Sequence, residues 1–229
     1  MAKKTFLLHI SATDFTDTIN NRYKVLTDYA EEEVILQQIF PMFSKFNIGE
    51  VLARITLLNQ FYSTAIMDIR SVANHIVKVC NVEQRLKCGD LLVVGDIAKV
   101  QHGIKKWNHA SFASKFANFH NNDAFPILDS LVLDVFCKLR RIGFFQKNTK
   151  FNEASLRADY PQYVDVYNEF IDLSGIGSIV YNGARPNYKQ IDNYLWASRK
   201  IKSLDPTDWR AIQAPAEYAQ IMSNAINRI

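Results

Sequence analysis

Apolar residues recur three and four positions apart through most of the chain, the spacing of helices that bury one face. Between Asn21 and Phe40, Val25, Tyr29, Val34, Leu36 and Ile39 lie among charges, and Pro41 ends the stretch. From Ile48 to Tyr62, the residues Val51, Leu52, Ile55, Leu57 and Leu58 predict a more buried helix that leaves Glu50 and Arg54 outside. Ser71 is a candidate N-cap for a helix through Val79, and Asp90 and Gly95 punctuate two shorter helices up to Val100. Ser111 is a candidate N-cap for FASKFANFH, HNNDAFP breaks that helix, and Ile127 to Leu139 is the most apolar helical segment, with Asp129 at its beginning. Further on, Pro161 opens a helix to about Leu173, LSGIGS is a turn, and IVYNGARPNY is irregular. Helix resumes near Tyr188 through IDNYLWASRK, and a last segment headed by Asp205, Pro206 and Thr207 closes in EYAQIMSNAINRI. Only TFLLHI reads as strand-like, and it has no evident partner.

This pattern predicts an all-α fold. Eight Gly and six Pro in 229 residues supply too few turns for a many-stranded sandwich or barrel, and 48% hydrophobic residues suffice for a full core. A single domain over 1–229, built as one or two lobes, is expected. No apolar run approaches the roughly 18 residues that span a bilayer. The start, MAKKTFLLHISATDF, lacks the long apolar stretch and cleavage site of a secretory leader. A cytoplasmic, monomeric protein with no membrane partner is therefore expected. Cys80, Cys88 and Cys137 are odd in number and scattered, which suits neither a disulfide framework nor a zinc site; buried or half-buried thiols are expected.

The net charge of +4 names no partner, but its distribution is uneven. Between Asp96 and Asp123 there is no acid, while Lys99, Lys105, Lys106 and Lys115 occur with His102, His109 and His120. A second acid-free window between Asp134 and Glu153 carries Lys138, Arg140, Arg141, Lys147 and Lys150. A third basic group, Arg185, Lys189, Arg199, Lys200 and Lys202, follows. Any one window reads equally well as a solvated helix face. Two in succession, interleaved with Trp107, Phe112, Phe116 and Phe119, point to a polyanion surface, with nucleic acid first.

Metal-protease, phosphate-loop and nucleophile-elbow motifs are absent, and the five histidines do not pair at ligand spacing. The feature that stands out is FPILDSLVLDVF, which sets Asp129 on the first turn of an apolar helix. Either Asp129 caps that helix and offsets its dipole, or it performs chemistry.

The order FNIGEVLARITLLNQFYST, a basic stretch with a turn, SFASKFANFHN and then FPILDS resembles the helix-hairpin-helix DNA glycosylase superfamily over Asn47 to Leu139. The words FASK, FHN, FPI-x-DS and YLW are also similar to a bacterial subgroup, some members of which are implied to act on hypermodified phage DNA bases. The resemblance implies a compact helical array with the DNA cleft between two lobes, completed by helices over 161–229. It implies an N-glycosylase that hydrolyses the bond to a flipped-out modified or damaged base of double-stranded DNA, plausible in antiviral defence, without metal or organic cofactor. Asp129 matches the superfamily's catalytic aspartate, whose charge would stabilise the oxocarbenium-like sugar. The lyase members' lysine falls here around Ser111, with Lys115 one turn further on, so a monofunctional hydrolase is implied.

Asn59 and Gln60 occupy the place of the DNA-probing sequence, or are ordinary polar residues at a helix end. Phe61, Tyr62, Trp107 and Trp196 are candidates for the base pocket, or core. The superfamily's Gly-x-Gly hairpin is reduced in VQHGIKKWNHAS to Gly103, so phosphate binding would rest on Lys105, Lys106 and Lys115, with Ser111 nearby. A competing register makes Gly175 and Gly177 of LSGIGS the hairpin and Asp192 the acid. It is disfavoured because IVYNGARP breaks off where a second helix should continue and Asp192 lies inside its helix. Two other readings keep the DNA contact: a base-hypermodification enzyme of the same fold, and a non-catalytic DNA-binding module.

Overall fold

The computed structural model describes residues 9–25, 27–43, 45–102 and 104–201. Among them the chain is mostly helical, in the order α1 (Ala12–Val25), α2 (Thr27–Ile39), a 3-10 turn at Phe40–Met42, α3 (Ile48–Tyr62), α4 (Ile69–Ile76), α5 (Val82–Cys88) and α6 (Leu92–Ala98). Strands β1 (Lys99–His102) and β2 (Lys105–Asn108) follow, then α7 (Ala110–His120), α8 (Ser130–Arg141), α9 (Glu153–Ala158), α10 (Tyr160–Ser174), a 3-10 turn at Ile176–Ser178, and α11 (Tyr188–Ile201). None of the described helices is long and apolar enough to cross a membrane.

The chain divides into two compact units. The first comprises Leu26–Leu128 with Arg157–Pro161. There α3 packs on α4 and α7, and α7 on α6. Asn47 begins α3, its Oδ1 accepting the Glu50 N–H at 3.0 Å, while a Glu50 carboxylate oxygen accepts the Lys45 N–H at 2.6 Å. These two bonds fix the turn into the helix and explain why α3 begins at Ile48, as its pattern predicts. Gly89 ends α5 at φ 75°, and a Cβ there would lie 2.9 Å from that of Ala124, so the turn requires glycine on both counts.

The second unit contains α1, Asp129–Leu156 and the described chain after Gln162. Here α11 packs on α1 and α8. Its core is aromatic. Phe136, fully buried, contacts Phe145, Tyr163, Tyr167 and Phe170 at centroid distances of 5.3–6.1 Å. Losing such a ring costs about 3–5 kcal/mol. The buried Glu169 staples the 146–148 loop: Oε1 accepts the N–H groups of Gln146 and Lys147, each at 2.6 Å, and Oε2 accepts the N–H and Nδ2–H of Asn148, each at 2.8 Å.

Several expectations are corrected. The 99–108 stretch is an antiparallel ribbon, pairing Lys99 with Asn108, Val100 with Trp107, Gln101 with Lys106 and His102 with Lys105. Among the described side chains of the ribbon Val100 alone is buried, so it leaves no readable alternation. The helical pattern over 21–40 falls within two helices, α1 and α2, and α4 stops at Ile76. Asp68, not Ser71, caps α4, accepting the Ser71 N–H at 2.9 Å, and His109, not Ser111, precedes α7. Arg54 is 4% exposed, not outside: its guanidinium donates to the carbonyls of Lys45 and Phe43 and lies 5.0 Å from the Phe46 ring centroid. Its position on α3 faces the loop that leads into that helix, and the loop's carbonyls hold it. Cys80 and Cys88 are exposed thiols and only Cys137 is half-buried. Of TFLLHI, His9 and Ile10 are described; the Ile10 N–H donates to Ser174 O at 2.8 Å without forming a strand. The helix expected after Asp205 lies outside the described residues.

Candidate functional site

The sequence words FASKFANFHN and FPILDS share one structural job. Phe125, Pro126, Ile127 and Leu128 form a buried extended strap. Its backbone would be orphaned in the core without polar partners. Residues one turn apart on α7 supply them: Asn118 Nδ2 donates to Phe125 O at 2.7 Å, and Ser114 Oγ accepts the Leu128 N–H at 2.9 Å. Tyr160 completes the set, its hydroxyl donating to Pro126 O at 2.6 Å. Sequence reasoning missed Ser114, Asn118 and Tyr160 as positioning residues. The signal for Ser114 and Asn118 was the recurrence of small and polar residues in an otherwise apolar helix; Tyr160, 34 positions from Pro126, had none.

The strap runs straight into Asp129, the N-cap of α8. Its backbone is extended (φ −114°, ψ 150°), and Oδ1 accepts the Leu131 N–H at 2.8 Å. The residue is half-buried, so water reaches its surroundings. The positive pole of the α8 dipole lies at this end. At the other end of α8, Lys138, Arg140 and Arg141 complement the opposite pole.

In the first unit, Ser111 and Lys115 are joined: Lys115 Nζ donates to Ser111 Oγ at 2.8 Å and lies 5.8 Å from the Tyr62 ring centroid. Lys115 is only 4% exposed, which excludes an ordinary surface charge and takes it out of any phosphate grip. Lys105 and Lys106 are exposed on β2, and Trp107 is 51% exposed, its ring parallel to that of His109 at 6.1 Å. Gly103 lies outside the described residues.

Asn59 is committed to its own loop. Its Oδ1 accepts from Thr64 Oγ1 at 2.8 Å and from the Ile66 N–H at 2.9 Å, and Nδ2 donates to Ile66 O at 3.2 Å. That clamp holds a turn in which Ser63 and Ala65 adopt φ 47° and 56°, a left-handed conformation costly for residues with a Cβ. Gln60, next to it, is exposed; Phe61 and Tyr62 are half-buried, with Tyr62 edge-on to Phe119. In the second unit Trp196 is half-buried on α11. Asp192, the acid of the competing register, is 6% exposed inside α11, 3.8 Å from Lys189 Nζ, and LSGIGS ends α10 in a 3-10 turn instead of joining two helices.

His120, at the end of α7, is strongly perturbed. Burial pushes it down to about 4, the nearby Arg54 charge adds to this, and the hydrogen bond with Phe116 O, at 2.7 Å, opposes it. Its ring packs on Phe40, Phe46 and Phe116. It is a part-buried, neutral ring within an aromatic cluster and adds no charge to the basic stretch.

A family model, HI_0787_N, described as an N-terminal domain, matches residues 15–124 and stops short of Asp129. The chain is 36% identical over 149 residues to a Haemophilus influenzae protein described as uncharacterized, an alignment that covers 65% of this chain and 66% of that protein. The chain thus spans about two thirds of its relative's length. No solved structure matches the chain.

Proposed function

We propose that the protein is a DNA N-glycosylase that hydrolyses the bond between the sugar and a flipped-out modified or damaged base, with Asp129 as the catalytic carboxylate. One observation carries the reading: a half-buried, water-accessible aspartate caps α8 at the end of a buried strap whose backbone is fastened by Ser114, Asn118 and Tyr160. A catalytic acid must be held to within a fraction of an ångström, and a fastened strap does this better than a free loop. The Asp129 carboxylate would stabilise positive charge on the sugar as the base departs and orient water for attack. Flipping comes first, because a stacked base hides its glycosidic bond. Because the place of the lyase members' lysine falls around Ser111, the proposed activity is a monofunctional hydrolase without strand cleavage. A modified base of phage DNA is the substrate class that the sequence resemblance favours.

Asp129→Asn separates chemistry from folding, because Asn caps a helix as well as Asp does and stability should change by less than about 0.5 kcal/mol. Mass spectrometry of small molecules released from a panel of genomic and phage DNAs should find a free base with the wild type and none with this variant. Full release by Asp129→Asn would overturn the assignment.

The second reading is a non-catalytic DNA-binding module. The observation that favours it is the same hydrogen bond from Leu131, which already gives Asp129 a structural occupation. On that reading no DNA yields a base, while salt-sensitive binding persists.

A further inference from the structure

Among the asparagines of the chain, Asn182 alone is followed by glycine. The pair forms the two-residue turn of a short hairpin: the Tyr181 N–H donates to Ala184 O at 2.8 Å, and the Ala184 N–H donates to Tyr181 O at 3.2 Å. Asn182 and Gly183 take φ 52° and 82°, the left-handed values that such a turn requires. Both residues are exposed, and a Cβ on Gly183 would meet nothing within 4 Å.

The Cγ of an asparagine is an electrophile, and the main-chain nitrogen of the next residue is the nucleophile closest to it in the chain. Attack needs an N–H that can be deprotonated, room beside it, and a backbone free to bring the nitrogen to Cγ. A helix or a long strand withholds all three, because its N–H groups are bonded and its dihedrals fixed. Here the hairpin's bonds belong to Tyr181 and Ala184, so the Gly183 N–H lies outside them. Glycine sets no side chain in the way, and its backbone turns more freely than that of any other residue. A single bridged pair is a marginal closure that opens at little cost. By contrast, Asn148, Asn168 and Asn187 of the same unit have their side chains engaged by Glu169, the Tyr188 hydroxyl and the Gln190 N–H, and are followed by Thr149, Glu169 and Tyr188.

We infer that Asn182 is a modification site at which the folded protein deamidates itself to aspartate and isoaspartate. Hydroxide takes the Gly183 N–H proton, the nitrogen bonds to Cγ of Asn182, and the Cγ–Nδ2 bond breaks as ammonia leaves, giving a cyclic imide. Water then opens the ring at one of its two carbonyls. One opening leaves aspartate; the other leaves isoaspartate, in which the main chain runs through the side-chain carbons. Aspartate keeps the turn, since Asp-Gly suits it as Asn-Gly does. Isoaspartate lengthens the main chain between Tyr181 and Ala184, so the bridge cannot keep both bonds. Tyr181, which lies edge-on to Phe15 at 5.7 Å, then loses one of its tethers.

The test uses the full-length protein, incubated at neutral and mildly alkaline pH, then mapped by peptide mass spectrometry and by methylation with an isoaspartyl methyltransferase. In the wild type the peptide containing Asn182 should gain about 1 Da, the difference between an amide and an acid. It should also accept methyl groups, at a rate that rises in proportion to hydroxide. Asn182→Gly should lose both signals while keeping its fold, because Gly-Gly suits the turn. Wild type unfolded in urea is the reference. A folded peptide that stays unmodified while the unfolded one gains mass would show that the hairpin protects Asn182, and would overturn the inference. So would a first gain that maps to another asparagine, or methylation undiminished in Asn182→Gly.

Discussion

The two acid-free basic stretches, residues 97–122 and 135–152, put their cations to opposite uses. In the first, Lys99, Lys105 and Lys106 stand in solvent on one small ribbon, Lys115 is buried on Ser111, and His120 is held neutral among phenylalanine rings. In the second, Lys138 is 8% exposed and paired with Asp134 at 2.9 Å, and the Arg140 guanidinium lies 5.5 Å from the Phe151 ring centroid. The remaining cations there, Arg141, Lys147 and Lys150, are exposed but spread over a helix end and a loop whose N–H groups Glu169 already holds. Equal charge density along a chain therefore makes unequal surfaces. Strand pairing gathers Lys99 and Lys106 onto one face; a helix end followed by a loop disperses its cations.

Three experiments sharpen or break this contrast. The largest effect belongs to His120. Its folded value near 4 lies below the ordinary 6.5, so the unfolded chain takes up a proton first. Stability is full above about 6.5 and falls as pH drops toward 4, by on the order of 3 kcal/mol. Urea unfolding between these values should show the loss, and His120→Gln should flatten it. An unchanged slope in that variant would mean that His120 is not the neutral ring described.

Next comes the Glu169 staple. Burial raises its carboxyl, but the hydrogen bonds from Lys147, Asn148 and Gln146 outweigh that and hold it below its usual value. The staple is therefore present above the unfolded value and lost as pH falls through the lower folded one. Glu169→Gln should cost about 2–3 kcal/mol, the worth of charge-assisted hydrogen bonds to a buried group, measured by chemical denaturation at neutral pH. Smallest in stability is Lys105→Ala with Lys106→Ala, expected to stay within about 0.5 kcal/mol of wild type because both lysines are exposed. A larger loss would mean that the ribbon's lysines serve folding, and the contrast between the two stretches would collapse.

Legibility followed the range of the interactions. The span of α3 could be read in full from its apolar spacing, which is local, although its Asn47 cap went unread. The start of α8 was legible only to within a few residues: the apolar pattern began the helix at Ile127, whereas Ile127 and Leu128 belong to the strap and Asp129 is the N-cap of a helix that begins at Ser130. Asn59 was legible as a polar residue near a helix end, but not as the clamp of a left-handed turn that closes on Ile66. The fastening of the strap was hidden, since Ser114 reaches Leu128 across 14 positions and Tyr160 reaches Pro126 across 34.

By itself the sequence determined a mostly helical chain, its main helix cores and the placing of one aspartate at a helix start, because helical periodicity and capping act within a few residues. Tertiary structure alone decided that 99–108 is a ribbon, that Arg54 and Lys115 are buried, and that Ile104 is left in solvent. A four-residue strand is stable only through its partner and its anchor, and a cation is buried only where distant carbonyls, hydroxyls and rings converge on it.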